Sequence, residues 1–194
     1  MLRFIVTYDY LCPFARNANE AVLSALAGGK EWEVSFRPFS LNQVHVHEGD
    51  PAVWDRPAGE QGSGVLALQW GLAVRDGFPE VFAEVHRALF AARHDQGFDL
   101  RDPEVLRAAV SGAGIDASEV GDLVASGKPL DTLRTEHTEL AERWRVFGVP
   151  TFIVDDDAVF VRLMKRDQVD ELDRMLGLIS WTGLNEFKRT TIPR

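Results

Sequence analysis

The stretch TYDYLCPFAR, residues 7–16, joins a predicted strand to a predicted helix and holds the only cysteine of the chain, Cys12. The residues before it, LRFIVTY at positions 2–8, are β-branched and aromatic, which predicts a strand. Pro13 suits the first turn of a helix, because the amide hydrogen that proline lacks would have no partner there. The sequence therefore places Cys12 at the N-terminus of a helix, directly after a strand.

The residues that follow complete a strand-helix-strand unit. Apolar side chains recur at helical spacing from Phe14 to Leu26, and Gly28 provides a stop. Residues 31–41, EWEVSFRPFSL, alternate apolar and polar side chains, which predicts a second strand with one buried face. Two strands joined by a helical crossover are expected to be parallel neighbours with a right-handed connection.

The rest of the chain predicts a loop, a block of helices and a final hairpin with a helix. Residues 42–63 are rich in proline and glycine and predict a loop, whereas residues 64–127 carry several helical patterns. One further helix is predicted at about 130–146, and TFIV and AVFVRL then predict an antiparallel hairpin. The last helix is expected to have Asp167 as its cap and Gly177 as its stop.

Length, charge and cysteine content restrict the classes of function. A chain of 194 residues is long enough for one domain with a sizeable insertion. The net charge of −9 argues against nucleic acid or an anionic membrane as a partner. The first apolar run is too short for a signal peptide, and one cysteine excludes an intrachain disulfide framework. We therefore expect a reducing, cytoplasmic setting.

Cys12 is the strongest candidate for chemistry. The positive end of a helix and its unpaired amides favour a thiolate, so Pro13, Phe14 and Ala15 are predicted to lower the pKa of Cys12, with a contribution from Arg16. Such a thiolate attacks a disulfide sulfur or an electrophilic carbon. Ala15 stands where many redox proteins carry a second cysteine, so an external thiol would have to remove any mixed disulfide. The alternative is that Cys12 is a small buried hydrophobic residue.

A second motif, Val149-Pro150-Thr151, begins a predicted strand far along the chain. The predicted order of strands and helices resembles the thioredoxin fold, in which a proline before the third strand adopts the cis form and lies against the active-site sulfur. By that likeness, the backbone of Val149 would pair with an extended ligand such as a peptide or a tripeptide thiol. An ordinary trans proline at a strand edge is the alternative, since the sequence does not show the isomer.

Together these motifs resemble the DsbA-like branch of the thioredoxin superfamily. The matching stretches are YDYLCPFA (8–15), VSFRPFSLN (34–42), FGVPTFIV (147–154) and the tail NEFKRT (185–190). The branch includes FrnE-type oxidoreductases, kappa-class glutathione transferases, 2-hydroxychromene-2-carboxylate isomerases and mycothiol-dependent reductases, whose C-termini are similar to NEFKRTTIP. The resemblance implies an α/β, thioredoxin-like fold, with residues 1–63 and 128–194 forming the domain and residues 64–127 forming an all-helical insertion between its βαβ and ββα units.

The resemblance also assigns roles to residues. Cys12 corresponds to the nucleophile, and Val149, Pro150 and Thr151 form the proline loop that binds substrate or thiol. Asn42 lies in the loop that borders the site. The departure is Ala15, which stands where the oxidoreductases carry cysteine.

Three functions follow as hypotheses. The first is a cytoplasmic thiol-disulfide oxidoreductase with a single reactive cysteine, acting on a small-molecule or protein disulfide. Its co-substrate would be a small thiol of the glutathione or mycothiol type, with no bound cofactor. The second is a thiol-dependent isomerase or transferase acting on an aromatic compound. Those relatives usually carry serine at the position of Cys12, so this chain, which keeps cysteine, lies between the two groups. The third is a non-catalytic binding protein; homodimer formation is left open.

Histidines offer other candidate sites besides Cys12. His45 and His47 are two residues apart beside Glu48, but two ligands do not complete a metal site, so no metal is predicted. His86 and Arg93 share one face of a predicted helix and are interpreted as solvated surface, with the border of a cleft as the alternative.

Overall fold

A computed structural model, which describes residues 1–186 and 188–190, contains a mixed sheet of four strands in the order β2-β1-β3-β4. The strands are β1 (Leu2–Tyr8), β2 (Trp32–Pro38), β3 (Thr151–Val154) and β4 (Asp157–Phe160). β1 and β2 are parallel, and β3 is antiparallel to both β1 and β4. The predicted parallel pair and the predicted hairpin are therefore confirmed, as is the thioredoxin-like α/β architecture.

The helices follow the predicted order with some different ends. They are α1 (Pro13–Ala27), α2 (Leu41–Val44), α3 (Ser63–Gly77), α4 (Phe82–His94), α5 (Pro103–Gly112), α6 (Ala117–Ala125), α7 (Lys128–Arg143) and α8 (Val169–Ile179). Short 3-10 turns occur at Val53–Asp55, Ala58–Glu60 and Pro79–Val81. The segment predicted as loop thus contains one short helix and two of these turns.

The prediction for the last helix was wrong at both ends. Gln168 is the N-cap of α8 and makes no capping side-chain bond, while Asp167 has a positive φ of 54°. The helix continues through Gly177 to Ile179, because Leu172, Leu176 and Ile179 bury one face of it in the core. Burial of that face outweighs the low helix propensity of a single glycine.

The sheet separates two buried clusters of side chains. Val6 and Phe152 are cross-strand partners, and both pack in a cluster with α1 and α8. The next pair, Ile5 and Ile153, packs in the other cluster, with α3 to α7. This alternation follows the two-residue period of a strand. All five of those helices lie between β2 and β3 in the chain; the division into a domain and an insertion of residues 64–127 stays a prediction.

A buried ion pair fixes the first turns of α1. Arg16 and Glu20 are 4% and 2% exposed, and Arg16 Nε donates to Glu20 Oε1 at 2.9 Å. The Arg16 guanidinium also donates to Asp95, which follows α4, and Arg166 Nε donates to Glu20 Oε2 at 2.7 Å. The start of α1 is thereby tied to the end of α4 and to the segment after β4.

Candidate functional site

Cys12 is the N-cap of α1, as predicted. Its backbone is extended, with φ −97° and ψ 116°, and Pro13 occupies the first turn. The backbone amide of Ala15 donates to Cys12 Sγ at 3.4 Å, and the side chain of Cys12 is 8% exposed. The sulfur therefore lies at the positive end of a helix while remaining mostly covered.

The second motif lies directly against this sulfur. Cys12 Sγ donates to the carbonyl oxygen of Val149 at 3.3 Å, and the Val149–Pro150 peptide bond is cis. Both residues are buried. Two stretches 137 residues apart in the chain thus form one site, and the sulfur has both a donor and an acceptor within reach.

The expected lowering of the Cys12 pKa is wrong for this structure. Burial raises the pKa of the thiol, and the amides of Ala15 and Phe14 oppose that effect without overcoming it. The charge of Asp9 raises the pKa further, whereas that of Arg162 lowers it. The guanidinium of Arg16 is held by Glu20 and Asp95, and its contribution to the pKa of Cys12 stays a prediction.

Asp9 is a buried carboxylate that the sequence analysis did not select. Its two oxygens accept hydrogen bonds from the amides of Leu11, at 2.9 Å, and Leu41, at 2.7 Å. Burial raises the pKa of Asp9 to about 6, although both hydrogen bonds act in the opposite direction. The side chain therefore ties the turn before Cys12 to the loop after β2. An acidic residue between a strand and a helix in YDY was the available signal.

Asn42, which was predicted to lie in a loop, lies in α2 beside that link and against the start of α3. Its Oδ1 accepts a hydrogen bond from the amide of Gly64 at 3.2 Å. A Cβ at Gly62 would lie 2.6 Å from Asn42 Nδ2, and Gly62 has a φ of +90°, so a side chain there would both clash and be strained. Asn42 thus joins α2 to α3, and its contact with a bound thiol stays a prediction.

The polar groups of Thr151 form hydrogen bonds with other residues of the chain. Its amide donates to Thr7 Oγ1 at 2.8 Å, and its hydroxyl donates to the carbonyl of Gly148 at 2.8 Å. Because both groups are buried and paired, Thr151 positions the proline loop, and its contact with a ligand stays a prediction. Val149 is also buried, and its carbonyl is already paired with the sulfur of Cys12.

An arginine and three phenylalanines extend the site along the surface. The Arg162 guanidinium carbon lies 5.4 Å from the ring centroid of Phe14 and 5.3 Å from that of Phe160. The Phe160 ring in turn lies 5.2 Å from the ring of Phe147, which is 69% exposed. We call these four side chains the Arg162 patch. Sequence analysis missed it because its members come from three separate segments.

The interpretation of His86 as solvated surface was wrong. His86 is fully buried, its Nδ1 lies 2.8 Å from the hydroxyl of Tyr10 and its Nε2 lies 3.2 Å from Asn19 Oδ1. Burial lowers the pKa of His86 to about 3, so the ring is neutral at physiological pH and supports the core under the Cys12 turn. Arg93 is exposed.

The described residues also bear on metal binding and on membrane insertion. In the described part of the chain, no group of three or more histidine, cysteine, aspartate or glutamate side chains is arranged to hold a metal ion. Along residues 1–186 and 188–190, no helix combines the length and the apolar character needed to cross a bilayer. The tail motif NEFKRTTIP falls partly outside the described residues, which omit Phe187 and positions 191–194.

Asp9 gives the site a testable pH dependence. Its pKa is about 6 in the fold against an ordinary value of 3.8, so the folded chain keeps a proton that the unfolded chain releases. The contribution of Asp9 to stability should be complete below about pH 4 and fall by up to about 3 kcal/mol as pH rises through 6. In Asp9→Asn this fall should disappear. Urea unfolding of both proteins from pH 4 to pH 7 gives their free energies of unfolding. A difference between wild type and Asp9→Asn that stays constant with pH would refute the prediction.

Comparison with known proteins gives the chain its relatives. The family described as the DSBA-like thioredoxin domain matches residues 4–177. Human glutathione S-transferase kappa 1 is 29% identical over 127 residues, which cover 64% of this chain and 55% of that protein. The match thus spans about half the length of the human protein.

Solved structures show the same fold. A 2-hydroxychromene-2-carboxylate isomerase is similar with a TM-score of 0.64 and 18% identity, covering 94% of this chain and 98% of that one. DsbA of Pseudomonas aeruginosa is similar with a TM-score of 0.58 and 21% identity, covering 82% of this chain and 72% of that one.

Proposed function

The chain belongs to the DSBA-like thioredoxin domain family, and we propose that it is a thiol-disulfide oxidoreductase that works through the single thiol of Cys12. The observation that carries the proposal is the position of the Cys12 sulfur. It lies 3.4 Å from the amide of Ala15 at a helix N-terminus and 3.3 Å from the carbonyl of Val149. A cysteine that served only as core packing would not need either polar partner.

The reaction proceeds in two exchanges. The Cys12 thiolate attacks one sulfur of a disulfide, forms a mixed disulfide with it and expels the other half as a thiolate. A second, external thiolate then attacks the mixed disulfide, which releases Cys12 and a new disulfide. Electrons balance, since one thiol is oxidised for each half of the substrate that is reduced. The raised pKa of Cys12 means that the first exchange should accelerate above neutral pH.

The external thiol is required because Ala15 has no sulfur. Ala15 is fully buried one helical turn after Cys12, and Cys12 is the only cysteine of the chain. A small thiol of the glutathione or mycothiol type is therefore the proposed co-substrate, and a small-molecule or protein disulfide is the proposed substrate. A chain with one free thiol suits a reducing compartment such as the cytoplasm, which we include in the proposal.

A second candidate is a thiol-dependent transferase or isomerase acting on an aromatic compound. The likeness to glutathione S-transferase kappa 1 favours it. In that function a bound small thiol is the nucleophile, and the group at position 12 only positions it. The two candidates therefore differ in whether Cys12 itself forms a bond.

Ala15→Cys tests the requirement for an external thiol. The variant would carry two cysteines across the first turn of α1, so its second thiol should resolve a mixed disulfide at Cys12. After reaction with oxidised glutathione and removal of the excess, intact mass should show loss of the adduct and formation of an internal disulfide. Ala15→Ser, which adds a similar small polar group without a thiol, is the matched control and should keep its adduct. Equal persistence of the adduct in both variants would count against the proposed cycle.

A further inference from the structure

We propose that the Arg162 patch binds the carboxylate of an anionic small disulfide or thiol and so makes the Cys12 site selective for such compounds. This inference rests on the proposed function and adds to it the class of molecule that reaches Cys12. Arg162 lies two residues after the end of β4. Its guanidinium carbon is 5.4 Å from the ring of Phe14, in the first turn of the helix that Cys12 caps. The cation therefore bridges the edge of the hairpin and the helix that carries the sulfur.

The charge of Arg162 is free to meet a ligand. Among the described residues, no carboxylate lies within ion-pair distance of this exposed arginine, although Arg16 and Arg166 are both paired. Arg162 instead lies against the faces of two rings, an arrangement that holds a guanidinium in place and leaves its planar set of N–H donors for a carboxylate.

The cation also acts on the reacting sulfur. Arg162 lowers the pKa of Cys12, which requires its charge to be within electrostatic range of the thiol. Asp9 acts in the opposite direction from its buried position, so of these two charges Arg162 is the one that favours an anion near the sulfur.

The aromatic rings define the rest of the ligand. Phe147 is 69% exposed and its ring lies 5.2 Å from that of Phe160, so the cation is bordered by an apolar wall. A molecule that fits has a carboxylate for Arg162, an apolar or aromatic body for the wall and a sulfur that reaches Cys12. Oxidised glutathione and aromatic disulfide carboxylates meet the charge requirement, whereas neutral and cationic disulfides do not.

Two aromatic disulfides of opposite character test the proposal. Dithiobis(nitrobenzoate) carries a carboxylate on each ring and dithiodipyridine carries none, and both report their reaction with a thiol by absorbance. The ratio of their rate constants with Cys12 removes any effect of a changed thiol pKa. We expect Arg162→Gln to lower this ratio about tenfold, the loss typical of a charge-assisted hydrogen bond. The ratio for Arg162→Lys should lie between those of wild type and Arg162→Gln, because lysine keeps the charge and loses the planar donors.

Arg107→Gln is the matched control, because Arg107 on α5 also lies over an aromatic ring, that of Trp70 at 5.9 Å. It should leave the ratio unchanged, and added salt should lower the ratio in wild-type protein more than in Arg162→Gln. If Cys12 of Arg162→Gln still reacts with dithiodipyridine and the ratio is unchanged, the Arg162 patch is not an anion site. If neither disulfide modified wild-type Cys12, the proposed function itself would fall, and this inference with it.

Discussion

Cys12→Ser is expected to lower disulfide-exchange turnover to the uncatalysed rate while the fold survives. Serine cannot form a disulfide, so neither exchange can begin. Its hydroxyl can still accept the hydrogen bond from the Ala15 amide and donate to Val149, the two contacts that Cys12 makes. Serine is also a favoured N-cap, so α1 should lose little stability. Turnover of oxidised glutathione with a small external thiol, followed beside a thermal melt, measures both quantities.

The same variant separates the two candidate functions. An enzyme that only positions a bound thiol should keep its activity with serine at position 12, because the hydroxyl replaces the polar contacts of the sulfur. Full thiol-dependent turnover in Cys12→Ser would therefore favour the transferase or isomerase candidate. The control is Cys12→Ala, which removes the cap and is expected to cost about 1 kcal/mol of stability in addition to turnover.

Breaking the buried pair between Arg16 and Glu20 should give the largest loss of stability. Their side chains are 5% and 2% exposed. Either one left without the other is a buried charge whose remaining partner, Asp95 for Arg16 or Arg166 for Glu20, is about half exposed. Arg16→Met and Glu20→Met are each expected to lower the free energy of unfolding by about 3 kcal/mol. The double variant should lose less than the sum, because two methionines leave neither charge unpaired at this contact.

An exposed pair of similar spacing provides the control for this cycle. Arg174 and Glu171 are 75% and 47% exposed on α8, and removing such a pair should cost less than about 1 kcal/mol. Urea unfolding of Arg16→Met, Glu20→Met, the double variant and Arg174→Met gives the comparison. If Arg16→Met cost no more than Arg174→Met, the buried network would not be what fixes the start of α1.

Local patterns in the sequence were enough to predict much of the fold. LRFIVTY gave β1 at its observed bounds, and Pro13 marked the first residue of α1. These features depend on neighbours a few residues away, which periodicity and capping describe well. The proximity of Cys12 and Val149 came from the family resemblance instead, because no local rule connects residues 137 positions apart.

The features that could not be predicted from the sequence depend on how distant segments pack together. The direction of the shift in the Cys12 pKa is set by burial in the cluster that Cys12 shares with Val149 and with α3 to α7, and that burial has no local signature. The same holds for His86, whose place on a helical face suggested surface although the sheet and the aromatic core cover it. Asp9 and the Arg162 patch escaped notice because their significance appears only when distant segments meet.

The central claim is that Cys12 alternates between a free thiol and a mixed disulfide that a second molecule removes. Intact mass of the wild-type protein tests it in two steps: incubation with oxidised glutathione, then addition of reduced glutathione to the isolated adduct. The account predicts a gain of one glutathione per chain, faster as pH rises above neutral, followed by complete return to the starting mass. No adduct at any pH, or an adduct that the added thiol does not remove, would contradict it.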